Sequence, residues 1–246
     1  MSSVDLSPPP TLDTLFQAGR VALFLDFDGT LVELAPGPDA ITPLPDLGMR
    51  LEMLAERVGG ALALVSGRAV DDIARHIGPL KVAAAGSHGS DIRLRDGTSL
   101  GKAPTGLPPE IERELREFAA SNGLDYEHKP HGGALHYRSA PEREEEAKEF
   151  AAVLADEHGW AVQHGKCVVE LVAGHATKGT AVDTFMGERR FAGAQPIFVG
   201  DDLTDEAGFA ACAQLGGIGI VVGDRAPTRA SYRLEDVASV HRWLGL

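Results

Sequence analysis

Residues 21–25, Val-Ala-Leu-Phe-Leu, form a continuous apolar run with no helical period. Such a run predicts a strand buried on both faces, as in a parallel sheet. The same signature returns at residues 61–65, 82–85, 197–199 and 218–222. Helical spacing fills the intervals. Leu47, Leu51, Leu54, Ala55 and Val58 share one face, and further helices are expected over 69–77, from Lys178 onward, and up to Gln214. A short helix at 12–20 leads into the first strand, and a strand at 232–234 and a helix to Leu246 close the chain. Strand alternating with helix predicts a parallel sheet with helices packed on it. A hairpin turning at Asp96-Gly97 extends one edge.

The pattern changes at Pro104. An amphipathic helix over 110–121 places Ile111, Leu115, Phe118 and Ala119 on one face. Two short strands follow at 125–129 and 134–138, then a helix using Ala147, Phe150, Ala151 and Leu154, then strands at 160–163 and 168–172. The order α-β-β-α-β-β suits a small α+β unit with an antiparallel sheet and its helices on one face. Two domains are therefore expected: a core of residues 1–103 and 175–246, and an inserted unit of residues 104–174. The junctions near 101–104 and 174–175 carry residues suited to hinges. The acidic run at 142–146 lies in the first turn of its helix, where it complements the macrodipole.

Composition narrows the class of protein. The 246 residues carry a formal net charge of −13, so nucleic acid and anionic membrane surfaces are not expected partners. The two cysteines, Cys167 and Cys212, lie far apart and suit a reducing compartment rather than a disulfide framework. No apolar run reaches membrane-spanning length, the N-terminus lacks a signal-peptide pattern, and a cytoplasmic monomer is expected. The proline run at 8–10 reads as a loose arm. Gly216-Gly217-Ile-Gly219 precedes its strand instead of following it, which speaks against a dinucleotide loop. His128 and His131 bracket Pro130 and lack zinc-ligand spacing.

Polar groups cluster at the strand ends. Asp26 and Asp28 stand at i and i+2 on the first strand, so they project to the same side, and Gly29 turns the chain after them. Ser66-Gly67-Arg68 follows the second strand, and Gly200-Asp201-Asp202-Leu203-Thr204-Asp205 follows a later one. In an open parallel sheet, ligand sites lie beyond the carboxyl ends of the strands. These groups are expected to converge there, joined by Lys178 at the start of its helix. Each has an ordinary alternative: a polar turn, a surface lysine, an acidic helix start. Together, several acids, one hydroxyl and one lysine suit Mg²⁺ and a phosphate.

Asp26-Phe-Asp28-Gly-Thr-Leu, Ser66-Gly-Arg68, Lys178 and Gly200-Asp-Asp-Leu-Thr-Asp-Glu206 resemble the four ordered motifs of the haloacid-dehalogenase superfamily of phosphohydrolases. The resemblance implies a Rossmann-like α/β core with an inserted α+β cap. It also implies that Asp26 is the nucleophile, forming an aspartyl-phosphate. Asp28 would protonate the leaving alkoxide and then activate water. Ser66 and Lys178 would hold the phosphoryl group. Mg²⁺ would sit on Asp26, the Asp28 carbonyl and Asp201, supported by Asp202 and Asp205.

Only 38 positions separate Asp28 from Ser66, whereas 112 separate Ser66 from Lys178 and contain the inserted unit. That placement resembles the sugar-phosphatase branch and, more specifically, the trehalose-6-phosphate phosphatases. Ser87-His88-Gly89, Glu127-His-Lys129, Ala134-Leu-His136-Tyr-Arg138, Lys166-Cys-Val-Val-Glu170 and Lys178-Gly-Thr-Ala181 carry the likeness. It implies that Glu127, Lys129 and Glu170 hold the sugar. Gly67, Arg68, His88, His136 and Arg138 match by position as further substrate-binding residues. Ser90-Asp91 departs from the family's usual Ala-Glu. The expected substrate is a disaccharide phosphate. The competing readings are a sucrose-phosphate or mannosyl-phosphoglycerate type of phosphatase, and a non-catalytic sugar-phosphate-binding regulator.

Overall fold

The computed structural model describes residues 6–35, 38–101, 106–129, 131–165, 167–173 and 176–246. The first of its two units comprises Met1–Gly101 and Thr177–Leu246, the second Lys102–Ala176. Of the hinge positions expected from the sequence, residues 102–104 and 174–175 lie outside the described residues, as do residues 1–5, Pro130 and Lys166. The proline run at 8–10 is not a loose arm, since Trp243 Nε1 donates to the Pro10 carbonyl at 2.8 Å and the Arg233 N–H to the Ser7 carbonyl at 3.1 Å.

In chain order the first unit supplies α1 (Leu12–Ala18), β1 (Val21–Leu25), α2 (Leu47–Arg57), β2 (Leu62–Val65), α3 (Val70–Ile77), β3 (Ala83–Gly86), β4 (Asp91–Arg93) and β5 (Ser99–Leu100). The second supplies α4 (Pro109–Asn122), β6 (Asp125–Lys129), β7 (Gly132–His136), α5 (Glu144–His158), β8 (Trp160–Gly165) and β9 (Val168–Ala173). The first then resumes with α6 (Lys178–Met186), β10 (Gln195–Gly200), α7 (Asp205–Gln214), β11 (Ile218–Val222), β12 (Tyr232–Leu234) and α8 (Val237–Leu244).

The eight strands of the first unit run in the order β12-β11-β10-β1-β2-β3-β4-β5. The first six are parallel, and β4 and β5 add an antiparallel edge. Every residue of β1, β2 and β3 is buried, as continuous apolar runs require. From β1 the chain proceeds to β2 and β3 on one side and returns to β10, β11 and β12 on the other. The order therefore reverses between β1 and β10, and in open parallel sheets the carboxyl ends at such a point are where ligand crevices form. Under this point Phe24, Phe185 and Phe191 pack with ring centroids 5.3–6.1 Å apart.

The second unit is an antiparallel sheet, β6-β7-β9-β8. Leu135, Val169 and Leu171 share a core with Ile111, Leu115 and Ala119 of α4 and with Ala147, Ala151 and Leu154 of α5. Phe118 stacks on Phe150 at 4.0 Å between the two helices. β7 begins two residues earlier than its composition suggests, at Gly132-Gly133. These glycines read as a turn, yet β7 is an inner strand pressed against β9. A Cβ on Gly132 would lie 2.2 Å from the Leu171 carbonyl oxygen. Glycine is used here for close approach, not for a bend.

Candidate active site

Asp26 leaves β1 with its backbone N–H donating to the Val199 carbonyl of β10, 2.9 Å away, so it stands at the crevice. Lys178, the first residue of α6, is placed by a capping box in which Thr177 and Thr180 exchange hydrogen bonds. Its Nζ lies 2.8 Å from Asp26 Oδ1 and 2.6 Å from Asp205 Oδ1. All three side chains are buried. Asp201 follows β10 and completes the group: carboxylate oxygens of Asp26, Asp201 and Asp205 all lie within 4.8 Å of one another.

One ammonium thus faces three crowded acids. Burial, with the like charge of Asp205, pushes the Asp26 carboxyl well above the usual carboxylate range despite Lys178. Burial likewise raises Asp205 against the pull of Lys178. Asp201 is pushed up to about 7 by burial and then by Asp205. Burial alone would lower Lys178, but Asp205 and Asp26 outweigh it and hold the ammonium charged. Three hard oxygen donors with one counter-charge between them fit a divalent cation. The turn after β1 is shaped to the same group. Gly29 has φ +74°, and a Cβ there would lie 2.3 Å from Asp201 Oδ2. Thr30 Oγ1 donates to Asp201 Oδ1 at 3.4 Å.

The Asp28 side chain has a different partner. Arg68 donates to it through two nitrogens, Nε to Oδ2 at 2.6 Å and an NH2 nitrogen to Oδ1 at 2.8 Å. The third guanidinium nitrogen donates to Asp72 at 2.8 Å. Arg68 was expected among substrate-binding residues, and in this structure its guanidinium bonds Asp28 and Asp72. Ser66 is buried beside it, its Oγ accepting from the Arg68 backbone N–H at 3.1 Å. Two backbone bonds then tie this loop to the next: Ser87 N–H to the Arg68 carbonyl at 2.8 Å and His88 N–H to the Ser66 carbonyl at 2.9 Å. Ser87 and His88 hold left-handed backbones, φ +47° and +56°, each at a cost of about 1–3 kcal/mol that clusters at functional sites. Gly67 lies directly against the His88 ring. Asp202 supports the loop after β10, its N–H donating to Asp205 Oδ2 at 2.8 Å and its Oδ1 accepting from Leu203 N–H at 2.6 Å.

Sequence reasoning missed Thr30 and Asp72. Thr30 sits inside the first motif, and Asp72 lies in the first turn of α3, which begins two residues after Arg68.

In the second unit, register aligns Glu127, Ala134, Glu170 and Gln163 across all four strands. This row faces away from the helices, because Leu135, Val169 and Leu171 take the opposite face. Lys129 forms an ion pair with Glu170 on it, and His136 Nε2 lies 2.8 Å from Glu127 Oε2. Glu127, Lys129, His136 and Glu170 thus form one polar cluster, with Gln163 as an unforeseen member. Arg138 is exposed just beyond β7. His128 points to the helix side, 3.1 Å from Glu112 of α4.

Known proteins share both sequence and fold with this chain. The family described as "Trehalose-phosphatase" matches residues 24–238, which include every core motif residue from Asp26 to Asp205. A probable trehalose-phosphate phosphatase of Sinorhizobium fredii is 42% identical over 229 residues, covering 92% of this chain and 85% of that protein. The trehalose-6-phosphate phosphatase of Escherichia coli is 38% identical over 240 residues, covering 96% and 89%. The solved C-terminal domain of the Candida albicans trehalose-6-phosphate phosphatase superposes with a TM-score of 0.80 at 20% identity, covering all of both chains. The match takes in the acids that converge at the β1–β10 crevice and the polar row of the second unit alike, and the chain belongs to the trehalose-phosphatase family.

Proposed function

We propose that this protein is a phosphomonoesterase that hydrolyses trehalose 6-phosphate to trehalose and phosphate through an aspartyl-phosphate on Asp26. The observation that carries the reading is the buried contact of Lys178 with both Asp26 and Asp205, with Asp201 alongside. Asp26, Asp201 and the Asp28 carbonyl would hold Mg²⁺, with Asp205 and Asp202 supporting them, and the ion would supply positive charge to the crowded acids and the substrate phosphate.

In the first step an Asp26 oxygen attacks phosphorus and the ester P–O bond breaks. Asp28, once protonated and released by the Arg68 fork, would give its proton to the departing sugar oxygen. In the second, water attacks the same phosphorus, the bond to Asp26 breaks, and Asp28 takes the water's proton. Asp26 is restored and inorganic phosphate leaves. Lys178 and the Ser66 hydroxyl donate to phosphoryl oxygens throughout; the Ser66–Arg68 bond uses an Oγ lone pair, not the hydroxyl proton. Glu127, Lys129, Glu170, His136 and Arg138 read the sugar hydroxyls, since carboxylates accept from them and cations donate to them. The substrate is a small molecule, and the working form in this reading is a cytoplasmic monomer with no nucleic-acid or membrane partner.

The test is phosphate release from trehalose 6-phosphate, sucrose 6-phosphate and mannosyl-phosphoglycerate, with and without EDTA. Trehalose 6-phosphate should give the highest kcat/KM, chelation should abolish turnover, and a folded Asp26→Asn protein should be inactive because an amide forms no acyl-phosphate. A different preferred ester would reassign the substrate. Full activity in Asp26→Asn would remove the mechanism, whereas no phosphate release from any of the three esters would leave the regulator reading.

A further inference from the structure

The last helix reaches back to the turn that follows the first strand, and we propose that His241 is a positioning residue that holds the Asp28–Leu31 turn against Asp201. This rests on the metal-dependent phosphohydrolase reading above. His241 Nε2 lies 2.8 Å from the carbonyl oxygen of Leu31, 210 residues away in the chain. A carbonyl oxygen only accepts, so the imidazole carries a proton on Nε2 and donates it to this bond.

The turn closes largely on its own backbone. The N–H groups of Leu31 and Val32 donate to the Phe27 carbonyl at 2.9 and 3.0 Å, and the Gly29 N–H donates to the Val32 carbonyl at 2.7 Å. The Leu31 carbonyl is satisfied from outside the turn, by His241. Leu31 and Val32 are both buried. A buried carbonyl stripped of its donor is costly, so the turn would shift to find another. The site would feel that shift directly. The same turn carries the Asp28 carbonyl, Gly29 pressed against the Asp201 carboxylate, and Thr30, whose hydroxyl donates to Asp201 Oδ1 at 3.4 Å.

Helix α8 gives this donor a firm base. Asp236 caps its first turn, accepting from the Ser239 N–H and hydroxyl at 2.7 Å each. Val237, Val240 and Leu244 are buried, and His241 follows Val237 by four residues, so its side chain leaves the helix beside that face. At the other end Gly245 takes a left-handed backbone, and its N–H donates to the His241 carbonyl at 2.9 Å. Two residues beyond His241, the Trp243 indole donates to the Pro10 carbonyl at 2.8 Å. The helix thus ties down two remote segments through two side chains, and of these His241 is the one on the site turn.

Mg²⁺ binding separates positioning from simple support of the fold. A ligand bound by the native state raises the melting midpoint according to its affinity. In the full-length protein the midpoint in EDTA therefore reads the fold, and the further rise in Mg²⁺ reads the site. His241→Phe keeps a ring but has no donor. It should weaken Mg²⁺ binding about tenfold, the low end for outer partners of a metal site. It should also lower kcat for p-nitrophenyl phosphate, an ester without a sugar, by a similar factor. His241→Gln, whose amide can donate to the same carbonyl, should recover most of both. Trp243→Phe, which loses only the Pro10 bond, should lower the midpoint in EDTA and leave Mg²⁺ affinity and kcat near wild type.

A His241→Phe protein that melts earlier in EDTA yet keeps wild-type Mg²⁺ affinity and kcat would make His241 a support of the fold alone and overturn the proposal. So would a His241→Gln no better than His241→Phe, or an equal loss of Mg²⁺ affinity in Trp243→Phe. A wild-type protein whose midpoint ignores Mg²⁺ would overturn the metal assignment instead. The kcat values would then decide: loss in His241→Phe with recovery in His241→Gln supports positioning, and unchanged kcat ends it. Wild-type enzyme that hydrolyses p-nitrophenyl phosphate but not trehalose 6-phosphate would overturn only the substrate reading. If neither ester is hydrolysed, the Mg²⁺ affinities of the same variants decide in the same way.

Discussion

Asp201 is the residue whose environment is most exposed to test. Its carboxyl moves from an ordinary 3.8 to about 7, because burial and Asp205 disfavour the charged form. Asp26 and Asp205 move in the same direction. The sign of the pH effect follows. Between the unfolded and folded values the native state binds more protons than the unfolded chain, so stability must fall as pH rises. Metal-free protein should therefore melt at progressively lower temperature from about pH 5 to about pH 8. Added Mg²⁺ should reverse the loss at the alkaline end, since a ligand bound only by the native state stabilises it. Melting curves in EDTA and in Mg²⁺ across that range test the account. A chelated protein whose midpoint climbs with pH would show that these acids do not repel one another as placed here.

At the scale of elements, the sheet β6-β7-β9-β8 separates two jobs by strand alternation. One face carries Leu135, Val169 and Leu171 into the core under α4 and α5, and the other carries Glu127 and Glu170 in one row with Lys129 paired to Glu170. A surface charge network would be worth only about 0–1 kcal/mol per pair and would leave catalysis alone. A hydroxyl-reading face predicts more. Glu127→Ala, Lys129→Ala and Glu170→Ala should each depress kcat/KM for trehalose 6-phosphate by about 1–3 kcal/mol of lost binding. Hydrolysis of p-nitrophenyl phosphate, which has no sugar, should change little. Equal losses on both esters, or on neither, would deprive the trehalose assignment of its physical support.

At the scale of the whole molecule, the chain builds two separate cores. The larger gathers residues from both ends of the sequence, while the smaller draws only on Leu107 to Leu171 within one continuous stretch. A continuous segment with its own core has what autonomous folding requires. Residues 102–176 expressed alone should give mixed α and β circular dichroism and a cooperative melt, with a stability of no more than about 3–5 kcal/mol for so small a core. A segment that stays unfolded, or melts without cooperativity, would mean that the inserted unit depends on the rest of the chain.

The amino-acid sequence alone determined the elements and the chemistry available to them. The apolar runs that became β1, β2, β3, β10 and β11 needed no partner to be read, because full burial leaves a continuous signature. Asp26, Asp28, Ser66, Lys178 and Asp201 could be gathered in advance, because parallel strands deliver their carboxyl ends to one edge. Tertiary structure decided who touches whom. It put Asp205 on Lys178, turned the Arg68 fork onto Asp28 and Asp72, and set His136 beside Glu127. It also drew Gly132 into the start of the inner strand β7, against a local preference for turns. Each of these depends on a side-chain rotamer or on the register between segments remote in sequence. Those are set by packing across the fold, and no local periodicity carries them.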